Sequence, residues 1–174
     1  GFGWSVAINN NLVIIGAPGD NNGISCIGSA QVFTKLVGWE SAQKLLPTID
    51  FSGDFGNVVA ISGTTIAVSQ RLNFINLGGI FATKWHTFGA SLSISGNTLI
   101  TGTTEALLEA NDSSYIAVYK RTGTVWDEAL VSFNGSPALN GAFGSAVFIS
   151  GFNAIIGAPK KKTQKGEVNF INIE

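Results

Sequence analysis

An all-β fold assembled from repeated small antiparallel sheets is predicted by three observations on this 174-residue sequence. The chain is 45% hydrophobic and 12% charged, the balance of an ordered protein with a well-buried core. Its 22 glycines and its many Val, Ile, Thr and Ser residues favour short strands joined by tight turns over helices. Most informative is a pattern that recurs four times without gaps: Phe2-Gly3-Trp4-Ser5-Val6-Ala7-Ile8, then Phe55-Gly56-Asn57-Val58-Val59-Ala60-Ile61, Phe88-Gly89-Ala90-Ser91-Leu92-Ser93-Ile94 and Phe143-Gly144-Ser145-Ala146-Val147-Phe148-Ile149.

Each copy reads as a hairpin followed by further strands. The Phe-Gly start leads into a first strand, which ends in a polar turn: Asn9-Asn10-Asn11, Ser62-Gly63-Thr64, Ser95-Gly96-Asn97 or Ser150-Gly151-Phe152. Such residues tolerate the positive φ that a two-residue turn requires. The second strand follows at a fixed distance, over Leu12 to Ile15, Thr65 to Val68, Thr98 to Thr101 and Asn153 to Ile156. In copies one and four it ends Gly16-Ala17-Pro18 and Gly157-Ala158-Pro159, where Gly allows close backbone approach or a bulge and Pro, lacking an N–H, stops the ladder. A third strand is predicted at Ser29 to Phe33, Gly79 to Thr83, Tyr115 to Tyr119 and Gly166 to Phe170, several of these segments alternating as a half-buried strand does. A fourth is visible in copies one and three alone, at Trp39 to Leu45 and Trp126 to Phe133.

The Phe-Gly starts are 53, 33 and 55 residues apart, giving repeats 1–54, 55–87, 88–142 and 143–174 with 4, 3, 4 and 3 strands. Repeated sheets of three or four strands, each burying both faces against its neighbours, are what β-propeller blades look like. The chain is therefore expected to form a single propeller domain of four blades over 1–174. The third strands of the two short blades would be bare edges, templates for an added strand, so partner strands from removed sequence or from a neighbouring subunit are expected to cover them.

The run Phe-Gly-x-Ser-Val-Ala-Ile, turn, Leu-Val-Ile-Ile-Gly-Ala-Pro, followed by Gly-Ser-Ala-Gln-Val-Phe and Gly-Trp-x-x-x-Gln-Lys-Leu, resembles the FG-GAP repeat. That repeat is the blade unit of integrin α-subunit-like β-propellers and of many bacterial and protist surface proteins. The likeness is strongest in copies one and four and weakest in two, where Ser69-Gln70-Arg71 replaces Gly-Ala-Pro. It implies a propeller outside the cell or on its surface that serves adhesion or protein contact and is rarely catalytic. Propellers of that family usually have about seven blades against the four here, which leaves three readings: a piece of a larger ring, a compact four-bladed ring, or an arc completed by a partner. With no Met in the sequence, Gly1 is expected to open a processed or shortened chain.

Other functions find little support. A net charge of -1 and dispersed basic residues offer a polyanion such as a nucleic acid no attractive field, and the longest apolar runs fall far short of the roughly 20 residues of a membrane-spanning helix. Cys26, the one cysteine, has neither a disulfide partner nor metal-ligand spacing around it, and His86 has no Ser, Cys or carboxylate pair beside it to build a triad. No cofactor and no enzymatic activity are expected. Integrin-like repeats often hold calcium after Gly-Ala-Pro, but Asp20 is the single carboxylate in the first such loop; the loop from Gln70 has none, and the lysine-rich loop Lys160 to Lys165 repels a cation. Asp20 is the metal-ligand candidate, with an Asx turn made by Asp20 and Asn21 as the alternative. Trp39 and Trp126 occupy equivalent positions and read as anchors packing one blade on the next. Trp4 and Trp85 break the pattern and are the candidates for a flat glycan-binding platform, the lectin-like alternative. Sequons at Asn111 and Asn134 fall in predicted loops and matter only in a secretory eukaryotic host.

Overall fold

A computed structural model describes residues 1–21, 27–47, 54–70, 74–75, 88–103, 114–127, 131–134, 142–159 and 165–173. All regular structure among them is β, in four antiparallel sheets, each built from strands that follow one another in sequence. Sheet I runs β1 (Ser5–Asn9), β2 (Leu12–Ala17), β3 (Ser29–Lys35) and β4 (Trp39–Leu45). Sheet II contains β5 (Val59–Ser62), β6 (Thr65–Gln70) and β7 (Phe74–Ile75). Sheet III contains β8 (Phe88–Ser95), β9 (Thr98–Thr103), β10 (Tyr115–Thr122), β11 (Val125–Trp126) and β12 (Val131–Asn134). Sheet IV contains β13 (Ala146–Ser150), β14 (Asn153–Ala158) and β15 (Glu167–Asn172).

The hairpins arise where the sequence placed them. The residue after the first strand is left-handed in all four copies: Asn10 (φ 50), Gly63 (φ 58), Gly96 (φ 57) and Gly151 (φ 59). The glycine of each Phe-Gly is left-handed too, at φ 88, 91, 81 and 86 for Gly3, Gly56, Gly89 and Gly144, a conformation that a side chain would strain. This curl turns the chain back onto its own second strand. Gly3 and Trp4 N–H both reach the Gly16 carbonyl at 3.1 Å, Gly56 N–H reaches Ser69 and Gly144 N–H reaches Gly157, each at 2.9 Å.

Two strand assignments differ from the sequence reading, and a third, Gly79 to Thr83, lies outside the described residues; β6 pairs with Phe74–Ile75. The fourth strand of sheet III comes in two pieces, β11 pairing the end of β10 through Arg121↔Trp126 and β12 pairing its start through Tyr115↔Asn134. β15 begins at Glu167 rather than Gly166, whose φ of 74 takes it out of the ladder, and it continues to Asn172 because β14 offers a pairing partner along its whole length.

Alternation along the strands gives each sheet two packing faces. The front is the face that meets the preceding sheet and the back is the one that meets the following sheet. Contacts run from sheet I to II, II to III and III to IV, so the four sheets form a propeller-like arc. One apolar cluster fills each gap. Ile14, Ala30 and Val32 from the back of sheet I meet Phe55, Val59 and Val68. Ala60 and Ala67 of sheet II meet Leu92, Leu99, Tyr119 and Trp126. Ile100, Ile116 and Val118 of sheet III meet Ile149, Ile156 and Ile173. Burial of this kind, at roughly 25 cal/mol per Å² of apolar surface, is the main force holding sheet to sheet.

Candidate interaction surfaces

The joints between sheets are specific as well as apolar. At the joint of I and II, Ser5 Oγ donates to the Gly56 carbonyl at 2.8 Å, and at the joint of III and IV Ser91 Oγ donates to the Gly144 carbonyl at 2.6 Å. In both, the Phe-Gly carbonyl of the later sheet sits where the glycine of the earlier sheet's second strand, Gly16 or Gly102, has no side chain. A Cβ on Gly16 would fall 2.9 Å from the Gly56 carbonyl carbon, and one on Gly102 would fall 2.8 Å from that of Gly144. Sheet II carries the swapped pair Val58 and Ser69, with the Val58 N–H donating to Ser69 Oγ at 3.0 Å. A second contact recurs at the hairpin turns: Gly96 N–H donates to Ser62 Oγ at 2.9 Å and Gly151 N–H to Ser95 Oγ at 3.0 Å.

At the two ends of the arc the same positions face solvent. On the front of sheet I, Val6 is 67% exposed, whereas its counterpart Leu92 on sheet III is 8% exposed. Ile8 and Ile94 differ in the same way. On the back of sheet IV, Phe170 is 76% exposed, whereas its counterparts Val32 and Val118 are 6% and 0% exposed. Val168, Phe148 and Ile155 are exposed beside it. Two hollows of about 430 and 500 Å³ open on sheet IV, one lined by Phe148, Ile155 and Phe170, the other by Ala146, Gly157 and Val168. Contiguous exposed apolar surface is the usual mark of an interaction site, which makes these two faces the candidates.

The pairing of Trp39 with Trp126 needs correction in one half. Trp126 is buried in the gap between sheets II and III and anchors it, but Trp39 is 46% exposed because no sheet among the described residues covers the front of sheet I. Both carry a cation over the ring, Lys35 at 5.8 Å from Trp39 and Arg121 at 5.6 Å from Trp126. Arg121 also donates to Thr65 Oγ1 (2.7 Å) on sheet II and to Asn97 Oδ1 (2.8 Å), bridging two sheets.

Trp4 stands 68% exposed ahead of β1, and nearby Phe2 makes an edge contact with Phe33 at 6.4 Å between ring centroids. Trp85, His86 and Cys26 lie outside the described residues, as do Lys160 to Gln164 of the lysine-rich loop and the sequon at Asn111. Asp20 Oδ2 accepts from Ser29 Oγ at 2.6 Å and pairs with Lys44 Nζ at 2.7 Å. The Lys44 ammonium and the Ser29 hydroxyl hold the Asp20 carboxyl below the usual carboxylate range. One carboxylate already neutralised by an ammonium does not fit a hard cation that needs six to eight oxygens, and no group of three or more His, Cys, Asp or Glu gathers among the described residues. Also among the described residues, no helix is long and apolar enough to cross a membrane.

Sequence reasoning missed the serine of Phe-Gly-x-Ser as a joint residue. Its signal was present as a Ser at a fixed eleven-residue spacing before the Gly of Gly-Ala-Pro in copy one, Ser5 to Gly16, and again in copy three, Ser91 to Gly102.

A family model, the FG-GAP repeat, matches residues 1–33, the stretch that holds the first Phe-Gly, β1, β2 and most of β3. No curated protein matches the chain.

Proposed function

We propose that this chain is a non-enzymatic interaction module of adhesion type, a propeller-like part of a secreted or cell-surface assembly that binds protein partners through its blade loops and strand edges. The observation that carries the reading is the exposure of apolar, strand-ordered surface at both ends of an arc whose internal gaps are closed by the same residues. The FG-GAP match supports it, since such repeats typically occur in extracellular proteins and are generally non-enzymatic. β15, at the edge of sheet IV, remains the edge offered for strand addition. Beads coated with the folded chain should attach to cultured cells or to surfaces coated with extracellular-matrix protein more strongly than beads coated with the unfolded chain. Equal attachment on every surface would overturn the proposal.

A lectin-like role is the second reading, favoured by the exposure of Trp4. It requires binding on a glycan array that Trp4→Ala abolishes; a blank array removes it.

A further inference from the structure

The exposed faces at the two ends of the arc are counterparts of surfaces that pack against each other inside it. The front of sheet I carries Val6, Ile8 and Trp39 where the front of sheet III carries the buried Leu92, Ile94 and Trp126. The back of sheet IV carries Ile155, Val168 and Phe170 where the back of sheet III carries the buried Ile100, Ile116 and Val118. Among the described residues, one end is thus a front without a back, and the other a back without a front.

The polar contacts of the joints are also present as unmatched halves. Gly3 has a left-handed φ of 88, like every Phe-Gly glycine, and nothing among the described residues stands within 4 Å of its Cβ position. Gly157, the counterpart of Gly16 and Gly102, has only Ala146 near its Cβ position, at 3.5 Å and beyond, where the other two have the next sheet's carbonyl. The hollow of about 500 Å³ lies at this spot. Ser150 is the exposed counterpart of Ser62 and Ser95, whose hydroxyls accept the turn N–H of the following sheet, and Asn10 (φ 50) is the counterpart of the turn glycines that donate.

We infer that the front of sheet I docks on the back of sheet IV of a second copy of this chain, with the Gly3 carbonyl entering the hollow at Gly157 and the Asn10 N–H donating to Ser150 Oγ. The occupant is a second copy because the missing front and the missing back are both carried by this one sequence, in the same order and with the same turn geometry. Two copies, each giving one front and one back, close on each other through two identical joints, as a cyclic dimer does; a joint whose rotation does not close extends into a chain of copies. Ala146 stands where Ser5 and Ser91 donate, so this joint, like that of sheets II and III with Val58 at the same position, forms without the serine-to-carbonyl hydrogen bond. This docking rests on the interaction-module reading and names the partner for its two end faces.

Sedimentation velocity over a hundredfold range of concentration should show the chain associating beyond a monomer. Val6→Asp and Phe148→Asp, both at exposed positions in the single chain, should each weaken self-association by more than about tenfold, since each buries an unpaired charge in the joint. Mixing the two variants should restore a heterodimer, because the intact front of one then meets the intact back of the other. With Cys26→Ser as background, Asn10→Cys and Ser150→Cys variants should form a disulfide only when mixed. A monomer at every concentration overturns the inference. So does a dimer that Phe148→Asp leaves intact, which would be front to front, and so does an intramolecular disulfide in the double Cys variant, which would close the arc on itself. A monomeric chain whose coated beads still attach to cells overturns this docking and leaves the interaction-module reading standing.

Discussion

Gly102 and Gly157 occupy the same position in two copies of the repeat, and the structure predicts opposite outcomes for the same substitution at each. In Gly102→Ala the new methyl carbon would lie 2.6 Å from Ser91 Oγ and 2.8 Å from the Gly144 carbonyl carbon, where ordinary contact begins at 3.4 Å. The obstacle is backbone, so sheets III and IV must separate, stretching the buried Ser91 to Gly144 hydrogen bond and loosening the cluster around Ile100, Ile116 and Ile156. Overpacking a core costs about 1–3 kcal/mol and weakening a buried hydrogen bond about 1–2 kcal/mol, so the variant should lose about 2–5 kcal/mol. In Gly157→Ala the nearest heavy atom is the Ala146 side chain at 3.5 Å, and relief of the entropic cost of glycine in a strand should stabilise by about 0.5–1 kcal/mol. Urea unfolding followed by tryptophan fluorescence, at a concentration low enough to keep copies apart, measures both. With a slope of about 2 kcal/mol/M, Gly102→Ala should lower the midpoint by about 1–2.5 M while Gly157→Ala raises it slightly. If both shift in the same direction by similar amounts, or if Gly102→Ala stays within about 0.5 kcal/mol of the parent, the carbonyl-in-glycine joint does not hold the sheets together.

Three further outcomes follow from named groups. Burial pushes Tyr119 up to about 12, with Tyr115 adding to the shift and itself raised by desolvation. These are the only tyrosines, so tyrosinate absorbance should lag the normal titration near pH 10; the stability tied to the neutral rings is full below pH 10 and lost as pH rises through about 12, and an ordinary titration curve in the folded protein would refute this. The carboxyl of Asp20 is depressed, so its pairing with Lys44 contributes above the unfolded value near pH 4 and fades as pH falls through the lower folded value. Lys44→Ala should therefore cost about 0.2–1 kcal/mol at pH 7 and less at pH 2, checked by urea midpoints at both. Arg121→Ala removes the hydrogen bonds to Thr65 and Asn97 and the stacking on Trp126, and should cost about 1.5–3 kcal/mol in the same assay, with Arg121→Lys recovering little because an ammonium cannot reproduce the fork.

The hairpins were legible because their signals are local. Positive-φ residues at Asn10, Gly63, Gly96 and Gly151, and the Phe-Gly curl, are dictated by what the backbone can do at one residue. The division of sheet III's last strand was not, because Trp126 to Phe133 alternates well enough for one strand while its pairing depends on β10, 13 to 19 residues away at one end and one turn away at the other. Trp39 and Trp126 show the same limit. Their equivalence is written in the sequence, but burial depends on whether another sheet packs on the front, and among the described residues one does so at Trp126 and not at Trp39. The serine and glycine of the joints were legible as residues and not as partners, since Ser5 meets Gly56 and Ser91 meets Gly144 across more than fifty positions.

The number of strands in a sheet also decides how it would resist tension carried along the chain. In sheet I, four strands in a meander bring the start of β1 and the end of β4 to the same end of the strand axis, so a pull between them opens the ladders one hydrogen-bonded pair at a time, as a zip opens. In sheet IV, three strands leave the start of β13 and the end of β15 at opposite ends, so the same pull slides whole ladders and must break their hydrogen bonds together. A chain built this way pairs a yielding sheet with a resistant one, lengthening under a light load through sheet I while sheet IV keeps its shape.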